Sequence, residues 1–397
     1  MGRVEVGSAL LGLVVLHLVL RALRTSSKRN KKIAPKDERV VILGASTDDG
    51  LGAAFLQQYL ERGTRQVVIV GRRLGALEEV RAKVLERTAG KRAESAEVHV
   101  FAADCTKSSD VIALRDFVQT TLHGFDTLQV VFGVTSIMPV LGLANVDPKG
   151  VNANGEASTR VDPTVDGLDA IANTVQHSCD GNVKGTAIVL GALIPVLQTT
   201  SIDPVVVGTG SVAGLIPAPT RAVYCATKAA QHFLLESVAL ECDSQAGTPV
   251  PGTDKRRALV RFLLIAPGPI KNSFVKTYSV DSTTGPRDNR DKALDVNDVV
   301  RATLQRVDAN GTGIMVLPPA AFVAAMLSKF NLTYVLALLT QPRRDCEGGT
   351  QAVSLLVYLH GILSNDMTVV ARRPVSTQLA VLSVSHGVSQ QWPAAGG

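Results

Sequence analysis

Residues 39–73 read RVVILGASTDDGLGAAFLQQYLERGTRQVVIVGRR, and the order of features in this stretch decides the fold. Val40 to Leu43 is a short, unbroken apolar run, the pattern of a strand buried on both faces of a parallel sheet. A turn carrying Gly44, Gly50 and Gly52 follows, and it opens into a helical stretch over residues 53–62 that Gly63 stops. Gln66 to Val70 is a second apolar strand, ending at Gly71, Arg72 and Arg73. Strand, glycine turn, helix and strand form the unit that sets a pyrophosphate at a helix N-terminus, where unpaired N–H groups and the helix dipole favour an anion. Glycines let the backbone turn tightly and approach a dinucleotide with no Cβ between them. The motif here has the strand-to-helix context that it needs.

Outward from this unit the alternation continues. Residues 98–102 form a third strand closed by Ala103, Asp104 and Cys105, and residues 128–132 form a fourth that ends at Gly133. Strands separated by helices predict an α/β fold, a doubly wound, Rossmann-like parallel sheet in one domain. An acidic residue at the end of the second strand would hold the free 2′-hydroxyl of NAD. Gly71 followed by two arginines suits the 2′-phosphate of NADP instead, so NADP(H) is expected ahead of NAD(H). The alternative for Arg72 and Arg73 is the solvated start of a helix. Asp104 fits either an adenine contact or an ordinary loop. The expected cofactor residues in this half are Gly44, Ser46, Thr47, Gly50, Leu51, Gly52, Arg72, Arg73, Asp104 and Gly133.

Residues 204–242 carry the chemistry. A strand over 204–208 leads to Ser211, and a long helix begins near Ala222 with Tyr224 and Lys228 four residues apart, hence on one face. An ammonium beside a phenol favours the phenolate and should draw the Tyr224 pKa down. A tuned phenol is a competent general acid for a carbonyl oxygen receiving a hydride. Ser211, at the strand end, could polarise the same oxygen. Together with the glycine turn and Pro267-Gly268, this pattern resembles the short-chain dehydrogenase/reductase family over residues 39–318. The resemblance implies Tyr224 as acid/base, Lys228 on the nicotinamide ribose, Ser211 on the carbonyl and Asn182 as a fourth catalytic residue. In the family, that Asn holds a water for proton resupply. The resemblance also implies that the turn containing Pro267, Gly268 and Ile270 contacts the nicotinamide amide. Three departures stand out: five residues, Asp48 and Asp49 among them, separate Gly44 from Gly50 where the family has three; residues 131–134 replace the family's Asn-Asn-Ala-Gly; and Asn272 stands where the family has Thr.

The whole chain has 397 residues, 46% hydrophobic and 19% charged, with a formal charge of +6, which excludes a disordered or polar low-complexity protein. Its basic residues form no aromatic-laced face, so no nucleic acid is expected as a partner. Five scattered cysteines without C-x-x-C spacing argue against a disulfide scaffold or a structural zinc site, and no metal is expected. Residues 6–23 are almost continuously apolar and precede Arg24, Lys28, Arg29, Lys31 and Lys32. This reads as a single-pass anchor over residues 1–24 and a basic linker over 25–38, with the catalytic domain cytosolic, the endoplasmic reticulum being the expected membrane. A cleaved signal peptide is the alternative. Residues 145–164 predict a surface loop, 271–294 a lid and 319–340 an apolar helix touching the membrane, while 341–397 match no pattern. The expected activity is carbonyl–alcohol interconversion on a small lipophilic substrate, by a chain able to form a homodimer. A dinucleotide-binding sensor or scaffold is the rival, and an epimerase or dehydratase using the same Tyr/Lys pair a third reading.

Overall fold

The computed structural model describes residues 29–140, 163–218, 220–281, 293–322 and 325. The expected anchor, most of the 145–164 loop, part of the 271–294 lid, nearly all of the 319–340 helix and the 341–397 tail lie outside the described residues.

Seven parallel strands make one sheet: β1 (Arg39–Leu43), β2 (Gln66–Gly71), β3 (Glu97–Ala102), β4 (Thr127–Val130), β5 (Val205–Thr209), β6 (Arg261–Pro267) and β7 (Gly313–Leu317). Their spatial order is β3-β2-β1-β4-β5-β6-β7, so the winding reverses between β1 and β4. At such a switch point the two crossovers leave toward opposite faces and open a crevice at the strand C-termini.

Side chains alternate between the faces as the pleat dictates. Val41 and Leu43 point into a core with α3 (Ser108–Thr121), α5 (Gly185–Thr200) and α6 (Ala222–Gln245). Val40 and Ile42 point into the opposite core, with α1 (Leu51–Glu61), α2 (Leu74–Arg87) and α8 (Val296–Asp308). α4 (Val165–Cys179) runs into α5 through a π-helical turn, Asp180–Lys184, giving one continuous rod of 36 residues. This rod is long and apolar enough to cross a membrane, but half of its most apolar window is buried in the domain, as in a core helix. The π turn advances the helix by an extra residue per turn and presents Asn182 inward.

The opposite end of the sheet is closed by ion pairs. Arg29 is 1% exposed. Its guanidinium donates to Glu38 Oε1 at 2.5 Å, to Thr127 Oγ1 at 3.0 Å, and to the carbonyls of Asp126 and Asp203 at 3.3 and 3.2 Å. Asp126 in turn takes a bidentate pair from Arg39, at 3.0 and 3.1 Å. The segment before β1 is thereby tied beneath β1, β4 and β5.

Candidate active site

The glycine turn is built by exclusion of side chains. Gly44 has φ +92°, and a Cβ there would lie 2.6 Å from the Phe132 nitrogen. A Cβ on Gly52 would lie 2.5 Å from the Gly44 carbonyl oxygen. Gly50 N-caps α1 without any side-chain hydrogen bond, so the first N–H groups of the helix keep their capacity for a ligand. The two aspartates that enlarge the turn both have partners. Asp48 pairs with Arg87 at 2.6 Å, and Asp49 accepts from the backbone and hydroxyl of Ser273 at 2.6 and 2.7 Å.

Ser273 belongs to the segment after β6, which folds over the turn. The short helix α7 (Phe274–Tyr278) ends on Tyr278, whose hydroxyl meets Thr47 Oγ1 at 2.7 Å and Ser46 Oγ at 3.2 Å. Arg73 donates to the same hydroxyl and to the Ser46 carbonyl, both at 3.2 Å. Burial raises the Tyr278 pKa, but the bonds from Ser46, Thr47 and Arg73 outweigh it and hold the phenol below its ordinary value. Tyr278→Phe removes these contacts, each worth roughly 1 kcal/mol net. Hydrogen exchange at the amides of Thr135 and Val280, which pair with Tyr278 and Thr135, should then quicken about tenfold. Unchanged exchange would show that the hydroxyl does not hold the segment down.

The side chains expected to carry the chemistry converge on the same crevice. Ser211 accepts from the Ala213 amide at 3.1 Å, and its own amide donates to His232 Nε2 at 3.2 Å. The Ser211 hydroxyl and the Tyr224 phenol line the crevice together. The expected lowering of the Tyr224 pKa is not what the structure gives. Burial raises it, with Ser211 and the charge of Arg221 opposing. The ammonium of Lys228 stands 6.0 Å from the ring centroid and donates instead to the Thr209 carbonyl at 3.3 Å and Gln231 Oε1 at 2.8 Å. Burial brings Lys228 itself down to about 8.

Asn182 is buried and braces the exit of β4. Its Oδ1 accepts from the Val134 amide at 2.9 Å, and its Nδ2 donates to the Val134 carbonyl and Thr227 Oγ1, both at 3.0 Å. Next to it, a Cβ on Gly133 would fall 2.9 Å from Asn182 Oδ1 and 3.2 Å from Lys228 Nζ.

The crevice has a volume of about 1080 Å³. Ser211, Tyr224, Lys228, Gly44, Ser46, Thr47, Gly50, Leu51, Arg72, Asp104, Gly133, Pro267, Gly268 and Ile270 line it. Gly52, Arg73 and Asn182 do not: Gly52 packs behind the turn, Arg73 lies over Ser46 and Tyr278, and Asn182 stands behind Val134. One oxygen of Asp104 is taken by the amide and hydroxyl of Thr106, at 3.0 and 2.8 Å. Three further residues were not anticipated: Gln231, Tyr278 and Asp281, the last accepting from the amides of Ile137 and Met138. For Gln231 a signal existed, since a polar residue three positions after Lys228 shares its face.

Comparison with known proteins agrees with this geometry. The family model described as short chain dehydrogenase matches residues 38–281. An uncharacterized oxidoreductase of Staphylococcus saprophyticus is 27% identical over 206 residues, 52% of this chain and 68% of the relative. A very-long-chain 3-oxoacyl-CoA reductase of Neurospora crassa is 28% identical over 220 residues, 55% of this chain and 56% of the relative. Among solved structures, a short chain dehydrogenase/reductase from Burkholderia phymatum in complex with NAD superposes with a TM-score of 0.56 at 18% identity, covering 78% of this chain and 98% of that one. A short-chain dehydrogenase from Sphingobium yanoikuyae in complex with NADPH gives 0.51 at 19% identity, with the same coverages, 78% and 98%. With its sheet order, glycine turn and Ser–Tyr–Lys crevice, the chain belongs to the short chain dehydrogenase family and is an oxidoreductase of it.

Proposed function

We propose that this oxidoreductase exchanges hydride between NADP(H) and the carbonyl or alcohol carbon of a lipophilic substrate, with Tyr224 as the proton donor and acceptor. The observation that carries the reading is that Ser211, Tyr224 and Lys228 line one wall of the same crevice, with the Lys228 ammonium anchored behind the phenol. The crevice fits a dinucleotide. Its turn admits no side chain at Gly44, its helix N-terminus is uncapped, and Gly133 lets the backbone of the crevice floor pack against Asn182 and Lys228 without a Cβ between them. When bound, the nicotinamide supplies the hydride.

The chain's own groups do the rest. Ser211 and Tyr224 direct two hydroxyls at one substrate oxygen, which strengthens as that oxygen gains charge. A phenol held above its ordinary pKa is fully protonated at neutral pH, the form that donates to a carbonyl being reduced. Val134, Val212, Ile216, Pro217, Phe274 and Val275 line the crevice and suit an apolar substrate. The name of the Neurospora relative, a reductase of very long acyl chains, points the same way.

Arg72 and Arg73 support the choice of NADP(H), since no carboxylate stands at the end of β2 to favour the free hydroxyl. Arg72 lines the crevice, so Arg72→Ala should weaken NADPH binding about 10- to 100-fold and leave NADH within about twofold, read by cofactor fluorescence titration. Consumption of NADPH with lipophilic ketones, including 3-oxoacyl thioesters of graded length, tests the whole reading. Failure across that panel, or equal use of NADH, would defeat it. The same proposal takes residues 6–23 as a single-pass anchor in the endoplasmic reticulum, with this domain in the cytosol. It also takes the exposed Phe233 (71%) and Leu240 (69%), seven residues apart on α6, as part of a homodimer face.

A further inference from the structure

The Lys228 ammonium has three hydrogens and no acceptor. Two are used inside the protein, on the Thr209 carbonyl and on Gln231 Oε1. One remains for the crevice, which Lys228 lines beside Gly133. Gln231 is fully buried and is itself held in place. Its Nε2 donates to Thr186 Oγ1 at 2.9 Å, and Thr186 Oγ1 donates to the Asn182 carbonyl at 2.8 Å. Every link donates in one direction, from ammonium to carbonyl, so no member can rotate without leaving a buried group unpaired.

An apolar residue would pack at this position without needing a partner, and a buried amide is costly where it finds none. The amide also keeps its N–H protons at neutral pH, so this chain is a strut and not a path for protons. We propose that Gln231 is a positioning residue for the oxidoreductase reaction, acting through Lys228: it takes up one N–H and fixes Nζ so that the remaining donor faces the ligand beside Tyr224. The inference rests on the role proposed above for Lys228.

A second consequence concerns charge. Among the described residues, Gln231 Oε1 is the only side-chain oxygen that accepts from the ammonium, and an acceptor favours the protonated form. The titratable groups that line the crevice with Lys228 are Tyr224 and Arg221 at the start of its own helix, His177 and Asp180 on the long rod, Asp104 and Cys105 after β3, Asp49, Arg72 and Tyr278. Burial is the cause that brings Lys228 down.

The test is carbon-13 NMR titration of the lysine Cε signals in the full chain, with Lys228→Met identifying the resonance. Gln231→Met, of similar length but without the acceptor, should lower the Lys228 midpoint by about one pH unit. Gln231→Glu, nearly isosteric, should raise it by about one to two units, and it carries the test if the Met variant does not fold. With NADPH and the best ketone of the panel, kcat should fall about tenfold in Gln231→Met with KM unchanged, and recover in part in Gln231→Glu. A Lys228 midpoint equal to wild type in Gln231→Glu, or raised in Gln231→Met, overturns the proposal. Absence of turnover by the wild type on every ketone would count against the lipophilic-carbonyl reading alone, because the titration reads Lys228 without any substrate.

Discussion

Tyr224→Phe should lower kcat for carbonyl reduction by about 10³-fold while leaving the NADPH dissociation constant within about twofold. The substitution keeps the ring among its neighbours and removes one hydroxyl, the group that shares the crevice wall with Ser211. Positioned proton transfer contributes typically 10²- to 10⁴-fold, and the phenol is also half of the pair aimed at the substrate oxygen. Because burial holds this phenol above its ordinary pKa, reduction should persist through neutral pH, and alcohol oxidation, which needs the phenolate, should rise toward alkaline pH. Stopped-flow turnover and fluorescence titration of the same preparation separate chemistry from binding. Activity surviving in the Phe variant would remove Tyr224 from the mechanism.

The largest effect on stability is expected at the far end of the sheet. Arg29→Met leaves Glu38, whose side chain is 1% exposed, with no cation beside it. Breaking a buried ion pair from one side typically costs about 3–5 kcal/mol, because the remaining charge keeps its desolvation penalty. For a domain of this size that corresponds to a melting temperature lower by roughly 10 °C. Adding Glu38→Gln should restore about half of the loss, since the amide can still accept from Thr127 and carries no charge. Calorimetry of the single and double variants decides it. A double variant no more stable than Arg29→Met would mean that packing, and not charge, makes this site matter.

The sheet was legible because its strands are apolar runs bounded by glycine, and the runs around Val41, Val68 and Val206 fall where the structure has β1, β2 and β5. The pairing of Tyr224, Lys228 and Ser211 was legible too. A helical repeat fixes the first two on one face, and a strand end beside the helix start fixes the third. The direction of the phenol's pKa was not, because it depends on depth of burial and on which acceptor the ammonium chooses. Neither follows from a spacing of four residues. Tyr278 reaches Ser46 across 232 residues of chain, and Arg29 reaches the Asp203 carbonyl across 174. Contacts of that span depend on how the whole sheet winds. Asp48 and Asp49 lengthen the glycine turn, and α2 and the segment after β6 supply each with a partner that the sequence does not announce.

The clamp around Arg29 also fixes where the chain enters the domain. Arg29 is lodged under the beginnings of β4 and β5, whereas the crevice opens past their ends, roughly a strand's length of 16 Å away. The chain therefore enters the domain at its back, on the side away from the crevice. A leash pulling from that side would aim the mouth outward, so that a greasy molecule handed over by a carrier meets the entrance directly. One diffusing sideways out of the surface that the leash is fastened to must first travel around the domain.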